Sequence, residues 1–191
     1  MSLWSPLGTK PKNLSEAEKK LVYATASGWV LEAGAESARF TGNNNPDAQP
    51  EVLVAIGDLA TSMSSATITE IEFMTTAFSK GAGGTISMRV RWNEAVTVTG
   101  TPHFVINNTT DAARHQTCLY VSGSGTNELI FGKTLAGGSA DINASDVLNV
   151  IANPLAQNGG STIKDTGTTT NSEITSSTAI GTAAGTLTIA A

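Results

Sequence analysis

Hydrophobic and polar residues alternate most regularly over residues 85–98. Four apolar residues take one set of alternate positions and four polar residues take the other, namely Ile86, Met88, Val90 and Trp92 against Ser87, Arg89, Arg91 and Asn93. Because successive side chains of a strand point to opposite faces, this pattern predicts an antiparallel strand with one buried face.

Shorter apolar runs, separated by turn residues, predict further strands around this segment. They include residues 68–78, Phe104 with Ile106, Cys118 with Tyr120, Leu129 with Phe131, and residues 147–151, 162–164 and 186–189. Ser122–Asn127 contains two glycines between two of these runs, which is typical of a hairpin turn. Short strands with turns about 8–12 residues apart are typical of an immunoglobulin-like β-sandwich. We therefore predict an all-β fold with such a sandwich over residues 68–191.

The region 1–65 has a less regular pattern and is predicted to be an N-terminal arm with short strands. Ser15 and Glu18 have the spacing of a capping box, which predicts one short helix running to about Tyr23. Residues 27–31 and 50–57 are predicted short strands, and residues 61–67 are a predicted linker.

The second of these short strands is apolar on both faces. Val52, Val54 and Ile56 are predicted to share one face, with Leu53 and Ala55 on the other. We expect both faces to be covered, one of them by a partner.

Charge and composition narrow the function classes. Charged residues make up 14% of the chain, its formal net charge is −5 and its pI is about 4.9. Nucleic-acid binding needs a basic stripe, so it is not expected. The lysines at positions 10, 12, 19 and 20 are interpreted as a solvated helix face or arm, not as a phosphate site. There is no apolar run of about 18 residues and no signal-peptide pattern at the start, so neither a membrane span nor secretion by that route is expected.

The residue pattern predicts no catalytic, cofactor or metal site. Cys118 is the only cysteine, so no internal disulfide is possible, and its apolar neighbours predict a core position. His103 and His115 lack the further ligands that a zinc site needs. The loop oxygens of residues 141, 143, 146 and 165 have no EF-hand spacing and are interpreted as turn-forming groups.

Two tryptophans of the N-terminal region are candidate contacts to a partner. Trp4 and Trp29 are interpreted as aromatic anchors, since such side chains commonly fill a partner's pocket. Together with Val52, Val54 and Ile56 they form the predicted partner-binding set.

Several segments of the C-terminal region carry a family resemblance. Trp92–Pro102 resembles the "FSEAVxVTGTP" segment of a bacterial immunoglobulin-like repeat found in large cell-surface proteins, although Trp92 stands where Phe is usual. Tyr120–Thr126, Leu129–Phe131 and Gly159–Asp165 agree with the same repeat in order, with an inserted loop at residues 109–116. The resemblance implies a sandwich fold, a role in surface structures and no catalytic residues.

The N-terminal region resembles small virion structural proteins of tailed phages, particularly cyanophage-like ones. The segments concerned are Lys10–Lys12, Ala26–Leu31 and Pro50–Ile56. Combined with the displayed domain, this resemblance implies a non-enzymatic capsid decoration protein at the virion surface. Residues 1–65 would bind the major capsid protein shell or another virion protein, and residues 68–191 would project outward.

Alternative functions stay open at the level of sequence. One is a tail or fibre component, and another is a module that contacts the host surface through glycans. The oligomeric state is also open, because an isolated sandwich has edge strands that neighbouring copies could cover.

Overall fold

The computed structural model describes residues 14–35, 45–63 and 65–191. Within these ranges the strands form one mixed sheet of 13 strands, which confirms the predicted all-β fold. The immunoglobulin-like assignment remains a prediction.

The strands are β1 (Val22–Thr25), β2 (Gly28–Leu31), β3 (Glu51–Ala55), β4 (Ile68–Phe73), β5 (Phe78–Ser79), β6 (Gly83–Thr99), β7 (His103–Asn108), β8 (Gln116–Ser122), β9 (Thr126–Ala136), β10 (Val147–Asn149), β11 (Leu155–Ala156), β12 (Thr162–Asp165) and β13 (Thr186–Ala190). The helices are α1 (Glu16–Lys20), α2 (Leu59–Ser62), a 3-10 helix (Ala112–Arg114) and α3 (Thr178–Ala183). No described helix has the length and apolar character needed to cross a membrane.

Strand β6 organises the larger part of the fold, which we call the sheet body (residues 65–191). Its first half pairs with β4 on one side and β9 on the other, and β8 and β7 continue the sheet beyond β9. Ile86, Met88, Val90 and Trp92 are at most 1% exposed, as the alternation predicted. Burying these side chains together supplies much of the stability of this region.

The remaining strands of the sheet body close over the same core. Strands β10 and β13 extend the sheet from β7 and contribute Leu148, Leu187 and Ile189 to the main apolar cluster. The turn between β8 and β9 forms the predicted hairpin.

The described residues from 14 to 63, which we call the N-terminal unit, have a small apolar core of their own. Strands β1, β2 and β3 form an antiparallel meander, and Val22, Trp29 and Leu31 pack with residues around α1 and α2. The main cluster begins at Ala66. The apolar residues thus separate near the predicted linker, although α2 occupies part of that segment.

Helix α1 begins with the predicted capping box. The Glu18 amide donates to Ser15 Oγ over 3.2 Å, and the Ser15 amide donates to Glu18 Oε2 over 2.8 Å. The predicted end near Tyr23 was wrong: the helix ends at Lys20, and Tyr23 lies in β1 opposite Val30. Pairing with β2 satisfies the backbone of Tyr23 and buries its side chain, which an additional helical turn would not do.

The N-terminal unit meets the sheet body along β6. Ala24 of β1 forms a parallel bridge with Glu94 of β6, and Tyr23 and Val30 pack against Ala95. These contacts place the polar face of β6, which includes Arg91, beneath the β1–β2 hairpin.

Candidate functional site

Arg91 lies at the centre of a buried cluster of charged groups. It belongs to the polar face of β6, and its side chain is 8% exposed because the N-terminal unit covers it. Its guanidinium lies 2.9 Å from Glu70 Oε2 and 3.4 Å from Glu32 Oε2, and it also contacts Glu128. These three carboxylates come from β4, from the residue after β2 and from β9, so Arg91 connects the N-terminal unit to the sheet body.

A second layer of ion pairs surrounds this centre. Arg89 contacts Glu72 and lies 3.6 Å from Glu128, and Lys20 at the end of α1 contacts Glu70. Within the described residues, the ion pairs of this charged cluster join four carboxylates, at positions 32, 70, 72 and 128, to three cations, at positions 20, 89 and 91. The cluster therefore carries one more negative than positive group when every member is ionised.

Burial and neighbouring charges shift the pKa values of several groups in and beside the cluster. Burial, followed by the charge of Glu128, raises the pKa of Glu32 to about 7 despite the nearby arginines. Burial opposes the ionisation of Glu70 as well, but hydrogen bonds from Lys20 and Arg91 leave its pKa below the ordinary value. Burial and the charges of Glu32 and Glu128 raise the pKa of Tyr23 to about 12. Near neutral pH, Glu32 is the member of the cluster that gains or loses a proton.

A cleft of about 760 Å³ opens above the charged cluster. One wall is the row formed across the meander by Tyr23, Val30 and Val52, which face each other in the strand register. The opposite wall comes from Arg89 and from residues 125–128 at the start of β9. The cleft therefore lies between the N-terminal unit and the sheet body, with Glu32 and Glu128 among its lining residues.

Polar atoms at this cleft lack hydrogen-bond partners among the described residues. They are Glu32 Oε2, Arg89 Nε and Asn127 Nδ2, and Asn127 is only 1% exposed. Glu32 Oε2 still has its ion-pair contact with Arg91, whereas Arg89 Nε and Asn127 Nδ2 have no partner in the described part of the chain, and an unpaired buried polar atom is costly.

Strand β3 forms one end of the sheet next to the cleft. Its only partner among the described segments is β2, so its outer edge presents backbone donors and acceptors. Val52 is 51% exposed on this strand.

The prediction that Val52, Val54 and Ile56 share one face of β3 was wrong. A register shift opposite Trp29 and Val30 interrupts the alternation, and Leu53 and Ile56 both pack against the small core. Val54 is partly buried opposite Trp29, whereas Val52 points toward the cleft. A bulge of this kind changes which residues share a face and cannot be recognised from alternation alone.

The structure describes only one of the two tryptophans that were predicted to be partner anchors. Trp29 is 1% exposed and packs in the small core with Val22, Leu31 and Leu59, so its indole is not available to a partner. The covering residues include Val22 of β1 and Leu59 of α2, and Leu59 is distant from Trp29 in sequence. Trp4 lies outside the described residues.

A second group of buried carboxyls lies on the other side of β6. Glu94 is fully buried, and neither of its carboxyl oxygens has a hydrogen-bond partner among the residues that the structure describes. Burial and then the charge of Asp165 raise its pKa to about 7, while Asp165 itself accepts from the Ala66 amide and the Ser172 hydroxyl. Among the described residues, no group of three or more His, Cys, Asp or Glu could hold a metal ion.

The charged cluster was not predicted from the sequence, although part of its signal is visible there. Arg89 and Arg91 alternate on the polar face of one predicted strand, and Glu70 and Glu72 alternate on its neighbour. Opposite charges at matching spacing favour cross-strand pairs. The contributions of Glu32 and Glu128 depend on the packing of the N-terminal unit.

The comparisons with known proteins leave the family of this chain open. No protein-family model, no curated protein and no solved structure matches it.

Proposed function

We propose that the chain is a non-enzymatic structural component of a virus particle, a capsid decoration protein. In this proposal the N-terminal unit attaches to the shell and the sheet body is displayed at the capsid surface. The observation that carries it is the outer edge of β3, which pairs with no strand in the described part of the chain and where Val52 is 51% exposed. Open strand edges are common sites of attachment to another protein.

The division of the apolar residues supports this role. The N-terminal unit and the sheet body have separate cores, and the charged cluster around Arg91 fixes one to the other. A contact made by β3 would therefore hold the sheet body at the particle through these ion pairs. Binding across neighbouring shell subunits would stabilise the shell by mass action.

The low charge content of the chain is also consistent with a protein that lies against other proteins. Charged residues make up 14% of the sequence, and the core of a protein interface is typically depleted of charge.

Contact between the sheet body and a host surface is a second candidate function. Leu119 and Val121 of β8 are 53% and 62% exposed, and they form an apolar surface away from β3. The large apolar side chains exposed in the described residues are all aliphatic, which favours contact with a protein over stacking on a sugar ring.

Capsid binding by matched variants tests the attachment proposal. Purified full-length chain is added to particles stripped of it, and bound copies are counted by quantitative blotting and by cryo-electron microscopy. We expect Val52→Lys to lose binding, because a lysine would be buried in the contact, and Val121→Lys to bind as the wild type does. Loss of particle binding by Val121→Lys, but not by Val52→Lys, would overturn attachment through β3. Absence of the chain from purified source particles would overturn the virion role.

A further inference from the structure

The open edge of β3 and the cleft form one continuous surface. Val52 belongs to both, since it lies on β3 and ends the row of Tyr23 and Val30 that forms one cleft wall. A strand added to β3 would continue this row, because side chains in register lie side by side across a sheet. Every second side chain of the added strand would then lie beside Val52, at the mouth of the cleft.

The charges around this surface indicate that an added strand would carry a basic side chain. Glu51 on β3 and Asp47 before it are exposed, and no lysine or arginine occurs in residues 45–63. Within the described part of the chain, the charged cluster below the cleft has one more carboxylate than cations, and the 3.4 Å contact of Glu32 Oε2 with Arg91 is an ion pair without hydrogen-bond geometry. A positively charged side chain entering the cleft would balance this surplus.

We propose that β3 and the cleft bind an extended segment of a partner protein that adds to the sheet and places a lysine or arginine against Glu32. The inference rests on the proposed function in one respect, namely that the same β3 surface attaches the chain to its particle. It adds the chemical class of the partner: a strand with small apolar residues at alternate positions and a central basic residue.

The site is expected to depend on pH. The groups that face Glu32 are Tyr23 on β1, Arg89 and Arg91 on β6, and Glu128 on β9, with Glu70 and Glu72 of β4 and Lys20 of α1 behind them. A bound cation competes with the proton on Glu32, whose pKa is about 7. Affinity is therefore expected to rise as the pH increases through this value.

Titration calorimetry with the full chain tests the proposal. The probe is a short synthetic peptide of alternating threonine and valine with one central lysine, and the control peptide carries glutamine instead. We expect the lysine peptide to bind about tenfold or more tightly than the control at about pH 8, and less tightly at about pH 6. Glu32→Gln should remove this preference. Glu173→Gln, which removes an exposed carboxylate outside the charged cluster, should keep it, and thermal melting checks that both variants fold.

Three results would overturn the proposal. The first is that the lysine peptide does not bind or binds no better than the glutamine peptide. The second is that Glu173→Gln weakens binding as much as Glu32→Gln. The third is concentration-dependent dimerisation, seen by sedimentation, that Val52→Lys abolishes, because a second copy would then occupy β3. If the chain is found on particles but does not bind the peptide, the proposed function stands and the peptide site is wrong. If the chain binds the peptide but is absent from particles, the peptide site stands and the proposed function is wrong.

Discussion

Glu32 Oε2 lies 3.4 Å from the guanidinium of Arg91, and this contact joins the end of β2 to the centre of β6. Glu32 comes from the N-terminal unit, whereas Arg91 belongs to the sheet body. The same guanidinium contacts Glu70 and Glu128, so one arginine contacts carboxylates from three separate segments.

Replacing Arg91 by methionine is expected to destabilise the chain by about 3–5 kcal/mol, because it leaves partly buried carboxylates without their counter-charge. Urea unfolding of the full chain measures this loss. Arg114→Met is the matched control. Arg114 pairs with Asp111 over 2.8 Å, but its side chain is 37% exposed, so its removal is expected to cost about 1 kcal/mol or less. Equal losses in the two variants would mean that Arg91 does not hold the two parts together.

Glu94 is expected to make stability fall as the pH rises. Its pKa is raised to about 7 in the folded chain, against about 4.3 for an unfolded glutamate. Between these values the folded state keeps a proton that the unfolded state releases, so the stability contributed by this group is fully present below about pH 4 and is lost as the pH rises through about 7.

Glu94→Gln removes this titration with little change of shape. We expect the stability of the variant relative to the wild type to increase by about 2 kcal/mol between about pH 5 and pH 8, measured by chemical denaturation at each pH. Glu173→Gln, at an exposed position, is the control and should show no such trend. A difference between Glu94→Gln and the wild type that stays constant with pH would contradict the assigned titration.

Cys118 is expected to be unreactive in the folded chain. Its side chain is fully buried in the main core, and burial raises the pKa of the thiol to about 12. Thiolate is the reactive form, so a thiol reagent should label the protein only as fast as it unfolds. Rapid labelling without denaturant, at a rate independent of stability, would show that this part of the core opens locally.

The parts of the fold that the sequence predicts are those governed by local pattern. Alternation placed Ile86, Met88, Val90 and Trp92 inside, and the spacing of Ser15 and Glu18 identified the capping box. Such signals depend on strand and helix geometry within a few residues, so they do not require knowledge of the tertiary structure.

The candidate site could not be predicted because it depends on contacts between distant segments. Glu32, Glu70, Arg91 and Glu128 meet only after the β1–β2 hairpin packs on β6. Trp29 was predicted to be a partner anchor because nothing near it in sequence shows that α2 will cover it. Among the described members of the predicted set only Val52 is exposed, and its position depends on a register shift in β3.

Gly28 is expected to control the integrity of the β2–β3 pair. Its φ of +129° is unfavourable for other residues, and an added Cβ would overlap the carbonyl oxygen of Val54. Gly28→Ala should therefore separate β3 from β2 and open the cleft wall at Val52. We expect faster amide hydrogen exchange in residues 51–55, with little change in β6 and β9, because the main core is separate.

Gly125→Ala is the matched control for this effect. Gly125 also has a positive φ, of +89°, but a Cβ there would meet no atom within 4 Å. We expect Gly125→Ala to lower the free energy of unfolding by about 1 kcal/mol without changing amide hydrogen exchange in β3, since only backbone strain is introduced. Exchange that accelerates equally in β3 and β6 of Gly28→Ala would show that the N-terminal unit and the sheet body unfold together. The small core would then be an extension of the main one, and a strand bound at β3 would stabilise the whole chain.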